Sequence, residues 1–510
     1  MPTAHSSPAE LSAEAGPSEL RRAVRDVRHL LWFRAATVRR PRAALAALVA
    51  MAALTVLAAL APAWIHLDRD LAPLLPAGLA ALVVVGVGGA VAGAGGRELL
   101  ARDPASIHPI SPMTDHLGAL LLAPLNTGWL IQTWALLGLS ASIAGPGRLL
   151  AAQAVTLAWI LAATTLGQAV AWAVECVRRG PRGLAIVRGV VGGLVALLAL
   201  AGALPEGRRL LVGGPAGAVA DVVASPRGLP VALALVLLVG AAVGWTVIGG
   251  RFAQLASRRM PRDEGRLETR THEARPDPRS DLAVLRRIDR ASVWRSVPLR
   301  RGTWLLAIAP GAVALAGGLD WSGLVLLPGL VASGCVLLFG VNLWCLDGRG
   351  MLWRETLPVA PRTVLLARAC VLGEVLLGAG LVTVVLGAVR AGVPSFAELA
   401  GVVLALLVVV GQAVSAGLRW SAARPHAVDL RSARATPAPP LVMVGYSLRL
   451  AMATTFTSLL LGALAAGGRT DLLLAATAAF LLVSGLRVAR AVRRWEDPVR
   501  RAVVVAVVAA

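Results

Sequence analysis

RFAQLASRRMPRDEGRLETRTHEARPDPRSD, residues 251–281, opens the longest polar stretch of this 510-residue chain. That stretch runs to about residue 302 and reads as a cytosolic linker. Working outward, apolar runs precede it at about 43–65, 71–93, 117–143, 149–174, 184–204 and 229–250. Six more follow at about 303–319, 323–346, 363–389, 399–418, 441–466 and 471–488. A helix needs about 20 apolar residues to cross the hydrocarbon of a bilayer. The pattern therefore predicts an all-α polytopic membrane protein with about twelve transmembrane helices in two six-helix halves. Residues 1–42 form a cytosolic N-terminus, 43–250 the first half, 251–302 the linker, 303–488 the second half and 489–510 a cytosolic tail.

Composition agrees. The chain is 57% hydrophobic and 15% charged, with a mean hydropathy of +0.73; soluble chains are about 45–50% apolar and about 25% charged. Twelve spans would consume roughly 240 residues, which leaves no room for a large soluble catalytic domain. The polar start MPTAHSSPAELSAEAGPSEL has no apolar core of a signal peptide, so the first span is expected to target the chain. The cysteines Cys176, Cys335, Cys345 and Cys370 lie in or beside apolar runs without C-x-x-C spacing, which argues against a disulfide framework or a zinc cage.

A formal charge of +22 raises nucleic acid as a partner until it is sorted by side. With both termini cytoplasmic, the outer loops hold Arg69, Arg148, Arg208, Arg209, Arg227, Arg390 and Arg469. They also hold Asp68, Asp70, Glu206, Asp221, Asp320, Glu398 and Asp471, so the outer charge cancels. The whole excess lies inside, as the positive-inside rule expects for a protein of the cell membrane. Membrane lipid, not nucleic acid, is the expected anionic partner. Every basic residue is Arg, and there is no Lys.

Two elements recur. LRRAVRDVRHLLWFRAATVRR precedes the first span and LAVLRRIDRASVWRSVPLRR the seventh. At an offset of about 262 residues Leu20, Arg25, Arg28, Trp32 and Arg39 meet Leu282, Arg287, Arg290, Trp294 and Arg301. Leu20, Val24, Val27 and Leu31 share one helical face, which suits a helix lying along the inner membrane surface. The second copy is less regular and also reads as a basic juxtamembrane linker. The other repeat follows the second run of each half: GRELLARDPASIHPISPMTDHLG and LDGRGMLWRETLPVAPRTVLLAR. At an offset of about 249 residues Glu98 aligns with Asp347, Pro109 with Pro358, Pro112 with Pro361 and Thr114 with Thr363. P-[IV]-x-P-x-T at one topological position either marks a repeated docking loop or stops a helix before the next span.

On these two repeats the chain resembles the permease of an ABC-2 type transporter, with two six-span halves fused. The resemblance implies that Leu20, Val24, Val27, Trp32 and Trp294 belong to elbow helices. It also implies that Glu98, Pro109 and Pro112, with Asp347, Trp353, Arg354, Glu355, Pro358 and Pro361, belong to coupling loops that dock on an ATPase. Within WRETLP, Trp353 reads either as an anchor in a partner groove or as part of the aromatic belt, with Arg354 and Glu355 as charged edges. The outer segment ALPEGRRLLVGGPAGAVADVVASPRGL resembles a lid of short helices over the translocation path, whereas the second half has only AGGRTD there.

Without Lys there is no G-x-x-x-x-G-K-[ST]. The chain is read as a transport subunit and not an enzyme. It binds no cofactor directly, and ATP with Mg is expected to be hydrolysed by a separate ABC ATPase subunit in two copies. No H-E-x-x-H or G-x-S-x-G occurs. The candidate translocation path comprises Glu374, Asn126 and Asn342. Glu374, well inside a run, reads as a binder of a cationic group, as a partner of an Arg, or as a protonated structural acid. The rival function is a twelve-span proton-coupled secondary transporter, for which LDGRG is a partial echo of a known loop pattern but membrane-embedded acids are scarce. A third is a non-transporting membrane scaffold. Export of an unidentified substrate is implied by the resemblance alone.

Overall fold

The structure, a computed structural model, describes residues 17–36, 41–64, 74–92, 110–125, 127–203, 213–259, 278–428, 430 and 436–510. Among the described residues there is no strand, and seven helices are long and apolar enough to cross a membrane. These are Leu74–Val91, Pro146–Arg178, Gly228–Ser257, Pro361–Ala391, Phe396–Ala423, Val442–Ala466 and Thr470–Glu496. The chain is an all-α, membrane-embedded protein. Three further apolar runs are also single α-helices, Pro41–Leu60, Gly183–Ala203 and Val297–Gly317.

Two runs are broken. The run at 117–143 divides into Pro112–Leu122, a 3-10 turn Ala123–Leu125 and Thr127–Ala144. Pro124 in that turn lacks the N–H needed to continue the helix. The run at 323–346, expected to be a continuous span, is instead two short helices, Trp321–Leu324 and Leu327–Ser333, followed by the 3-10 turns Gly334–Leu337 and Leu343–Leu346. Irregular backbone at membrane depth survives only where protein buries it and satisfies its polar groups. Both conditions hold: Leu338, Phe339, Val341, Asn342, Leu343 and Trp344 are fully buried. The N–H groups of Leu338 and Gly340 donate to the Cys335 carbonyl at 3.1 and 3.2 Å. The N–H of Leu343 donates to Ser421 Oγ at 2.9 Å. A Cβ at Gly417 would lie 2.7 Å from the Gly340 carbonyl oxygen, so a residue without a side chain lets the 396–423 helix press against the unwound segment.

The 297–317 helix contains Pro310, which leaves the Leu306 carbonyl without its usual donor four residues on. The buried Thr383 Oγ1 lies 3.1 Å from that carbonyl and 2.9 Å from the Ala307 carbonyl, and supplies the missing proton. Gly311 allows the approach, since a Cβ there would lie 2.7 Å from the Thr383 carbonyl. Thr383→Val, nearly isosteric, is expected to cost about 1 kcal/mol of stability. Thr383→Ser should cost less, and denaturant titration of the detergent-solubilised chain checks the difference.

In the first half, the helices Leu149–Arg178 and Gly228–Ser257 end side by side on one face. Arg179 Nη1 donates to the Ala256 carbonyl and Arg259 Nη1 to the Cys176 carbonyl, each at 2.7 Å. Each arginine thus satisfies a terminal carbonyl of its neighbour. Glu175 holds Arg179 in place at 3.0 Å. Ahead of the Gly228–Ser257 helix, Pro215–Ala224 forms a short helix with Ala216, Val219, Ala220 and Val223 buried in the core of the first half. The short connection in the second half turns at Gly468, whose φ of 66° favours glycine.

The segment 489–510, expected to be a tail, is helical. Thr470–Glu496 continues to the edge of Asp497, which caps a final helix Pro498–Ala509 by accepting from the N–H groups of Val499 and Arg500. Val504, Val505 and Val508 of that helix are buried against the second-half core.

Candidate functional site

The repeated elements come together in the same way in both halves. Helix Pro17–Ala36 packs on Pro112–Leu122, and helix Asp281–Arg295 packs on Pro361–Ala391. Pro112 and Pro361, paired in the sequence repeat, each occupy the first turn of the helix on which the preceding repeat helix packs. Proline suits that position because its missing N–H would have no partner there anyway. Ser111 caps the first copy by accepting from Thr114 N–H at 3.0 Å.

The Pro17–Ala36 helix packs on the chain through one side and leaves Leu20 and Val24 of its predicted membrane-facing side uncovered. Ala23 and Val27 are buried, Val27 against Leu122 with Leu30, Leu31 and Leu117 around them, whereas Leu20, Val24 and Trp32 are exposed. In the second copy Leu285, Asp289 and Val293 are buried, and Ser280 caps the N-terminus. Trp294 is exposed on one side and meets Trp304 with ring centroids 6.2 Å apart. Glu98, Pro109 and Asn126 lie outside the described residues.

Below the broken segment the chain makes the 3-10 turn Gly348–Gly350 and the short helix Met351–Glu355, then turns through Pro358 into the 361–391 helix. Asp347, Arg354, Asp289 and Arg368 meet there in a closed ring of alternating charge. Arg354 Nη2 lies 2.8 Å from Asp289 Oδ1 and Arg354 Nε 3.2 Å from Asp347 Oδ1. Arg368 Nε lies 2.8 Å from Asp289 Oδ2, an ion pair whose N–H is not aimed at the oxygen, and Arg368 Nη2 lies 2.5 Å from Asp347 Oδ2. Asp289 and Arg368 are wholly buried and Arg354 is 6% exposed. Arg368 also donates to the Leu343 carbonyl of the unwound segment. Two carboxylates and two guanidinium groups cancel, and each charge touches two of opposite sign. That is the arrangement in which attraction can offset the cost of removing ions from water.

This geometry corrects the reading of Arg354. It is not an exposed edge for a partner but a strut inside the chain. Glu355 does reach the surface, where it pairs with Arg501 of the last helix at 3.0 Å. Trp353 is 64% exposed and Leu352 58%, so these two side chains project from the short helix while Arg354 anchors it.

Glu374 is engaged by arginines of its own chain. It accepts hydrogen bonds from Arg286 and from Arg290 Nε, the latter at 2.6 Å, both on the Asp281–Arg295 helix. Of the three readings of Glu374, pairing with arginine is the one the structure shows. That hydrogen bond holds the Arg290 guanidinium above its ordinary range. Asn342, also taken as path-lining, is fully buried and donates to the carbonyls of His426 and Pro437 at 2.9 and 3.0 Å. It ties the unwound segment to the loop after the 396–423 helix. Burial pushes the His426 imidazole below its ordinary range, and the neighbouring Arg424 charge adds to the shift.

Sequence reading missed Asp289 and Arg368. Asp289 shares the apolar face of its helix with Leu285 and Val293, four residues away on each side, and an acid on that face needs a buried cation. Arg368 stands five residues inside an apolar run. The repeat offsets place Val27 opposite Asp289, Ala105 opposite Arg354 and Ala119 opposite Arg368. The scaffold is duplicated but the charge ring is not: Val27 and Ala119 are both buried apolar residues. No family model, curated protein or solved structure matches the chain.

Proposed function

We propose that this chain is the membrane-spanning permease of an ATP-driven exporter of the ABC-2 type, with twelve spans and both termini on the cytosolic side of the cell membrane. A separate ABC ATPase, in two copies, hydrolyses ATP with Mg, and this chain converts the ATPase movement into opening of a path for its substrate.

The observation that carries the proposal is the mechanical character of the 351–355 helix. Its outward residues Leu352 and Trp353 are exposed, while its inward Arg354 is fixed to Asp289 of the interfacial helix and to Asp347 beside the unwound segment. Arg368 extends the same ring into the 361–391 helix. A force applied at Trp353 thus reaches the interfacial helix, an unwound segment and a long apolar helix through buried charged contacts, not through a flexible loop. Discrete contacts of this kind are a physical route for coupling. The engagement of Glu374 by two arginines speaks against the proton-coupled rival, since Glu374 is the acid that lies deepest in a predicted span. Extraction of the full chain from its native membrane tests the proposal: a Walker A ATPase should accompany it. Transport sustained by a proton gradient with no ATPase present would overturn it.

A further inference from the structure

On the arginine-rich face, where the helices Phe396–Ala423 and Thr470–Glu496 end and Pro498–Ala509 begins, lies a cavity of about 500 Å³. Arg419 enters it from the first helix, Arg487, Arg490 and Arg494 from the second, and Arg500 from the third. Arg487, Arg490 and Arg494 recur at intervals of three and four residues, which puts them on one helical face. Among the described residues no carboxylate lines the cavity. Arg419, Arg487, Arg490 and Arg494 have no carboxylate within ion-pairing distance among the described residues; Arg500 pairs with Asp497 at 3.2 Å. Alanines and Val504 complete the lining and leave the room.

Four exposed guanidinium groups without a carboxylate partner, on two helices, and Arg500 beside Asp497 give the cavity a positive potential that an anion would offset. Trp495 supplies a second, independent sign. It lines the same cavity, is 2% exposed, and its indole N–H has no acceptor. Buried indole donors ordinarily find one; the indole N–H groups of Trp344 and Trp420, outside the cavity, also lack one, so the cavity arginines carry the argument.

We propose that this cavity is a binding site for a phosphate-bearing anion, presented either by a phospholipid headgroup or by a soluble phosphoanion. Guanidinium groups recognise phosphate oxygens through paired N–H donors, and a cluster of them gathered at one point suits a multiply charged group better than a single carboxylate. Its position at the ends of two membrane-crossing helices puts it at the height of a headgroup, and its open mouth also admits a soluble ligand. Trp495 stacks on Trp344, with ring centroids 4.1 Å apart and planes inclined by 16°. Trp344 lies in the turn between Asn342 and Asp347, so occupancy of the cavity bears directly on the junction that carries the charge ring. The site depends on the membrane-embedded fold and not on the ATPase, so absence of an ATPase partner would leave it standing.

The test uses the full chain. Pyrophosphate is titrated calorimetrically into the chain held in phosphatidylcholine nanodiscs, and native mass spectrometry measures retention of added phosphatidylglycerol by the detergent-solubilised chain. Arg490→Gln/Arg494→Gln should weaken whichever ligand binds by at least about tenfold, as expected for loss of charge-assisted hydrogen bonds. Arg493→Gln, at an exposed position outside the cavity, should bind like the unaltered chain. Loss of pyrophosphate binding identifies a soluble phosphoanion, and loss of phosphatidylglycerol retention identifies a headgroup. Arg419→Gln, on a different helix, repeats the test should the double variant unfold. Binding of neither probe to the unaltered chain, or equal binding by both cavity variants, would overturn the proposal.

Discussion

Arg368→Ala is expected to lower the unfolding free energy of the chain by about 3–5 kcal/mol, the usual cost of removing one partner from a buried ionic cluster. The reason is not the loss of Arg368 itself. Its removal leaves Asp289 and Asp347 with Arg354 alone between them, and Asp289 is wholly buried, so an uncompensated charge remains where water cannot reach it. The Leu343 carbonyl of the unwound segment also loses its donor. The repeat provides the control. Val27 and Ala119 occupy the corresponding positions of the first half, so the scaffold tolerates an apolar pair there. Asp289→Val combined with Arg368→Ala leaves Arg354 and Asp347 as a neutral pair. The double variant should therefore be more stable than the sum of the single changes by about 1–3 kcal/mol. Denaturant titration in detergent, followed by tryptophan fluorescence, measures all three variants. Strict additivity would mean that the four residues do not act as one cluster.

Trp353→Ala has the second large effect, and it falls on association instead of stability. An exposed tryptophan that anchors a partner typically contributes 2 kcal/mol or more, so ATPase retention should weaken roughly thirtyfold. Because 64% of Trp353 is exposed, the thermal stability of the chain alone should change little. Arg354→Ala should do the reverse, unfolding the junction before it alters any docking surface. If Trp353 served only the aromatic belt, its alanine variant would keep the ATPase and lose membrane stability instead. Surface-binding kinetics of the ATPase on nanodisc-embedded chain, with a melting curve of each variant, separates the two roles.

The large features were legible because they depend on composition summed over many residues. Ten apolar runs are single α-helices among the described residues; the Pro-x-x-Pro repeat, which read as a docking loop or a helix stop, ends at Pro112 and Pro361 in the first turn of a helix, where proline acts through its own backbone. What stayed hidden depends on partners distant in sequence. The run at 323–346 has the hydropathy of a span, yet it unwinds because Ser421 and Arg368 replace helical partners and Gly417 gives the backbone room. No local pattern within that run records those distant residues. Arg354 looked like a docking charge because its neighbours Trp353 and Glu355 do face outward. On a five-residue helix the side chain that turns inward is settled by what waits there, and Asp289 lies 65 residues away in sequence. Glu374 was visible as a costly acid, but its partners Arg286 and Arg290 stand in a helix whose arginines all looked equally available to solvent.

If, as proposed, this chain is the permease half of a machine whose energy comes from a second protein, that protein should travel with it. Native mass spectrometry of the complex extracted from its own membrane tests this proposal most directly. The expected particle contains one copy of this chain and two copies of a Walker A ATPase, and the Trp353→Ala variant loses the ATPase. A chain that emerges without any ATPase, yet moves its substrate in sealed vesicles on a proton gradient alone, would contradict the proposal.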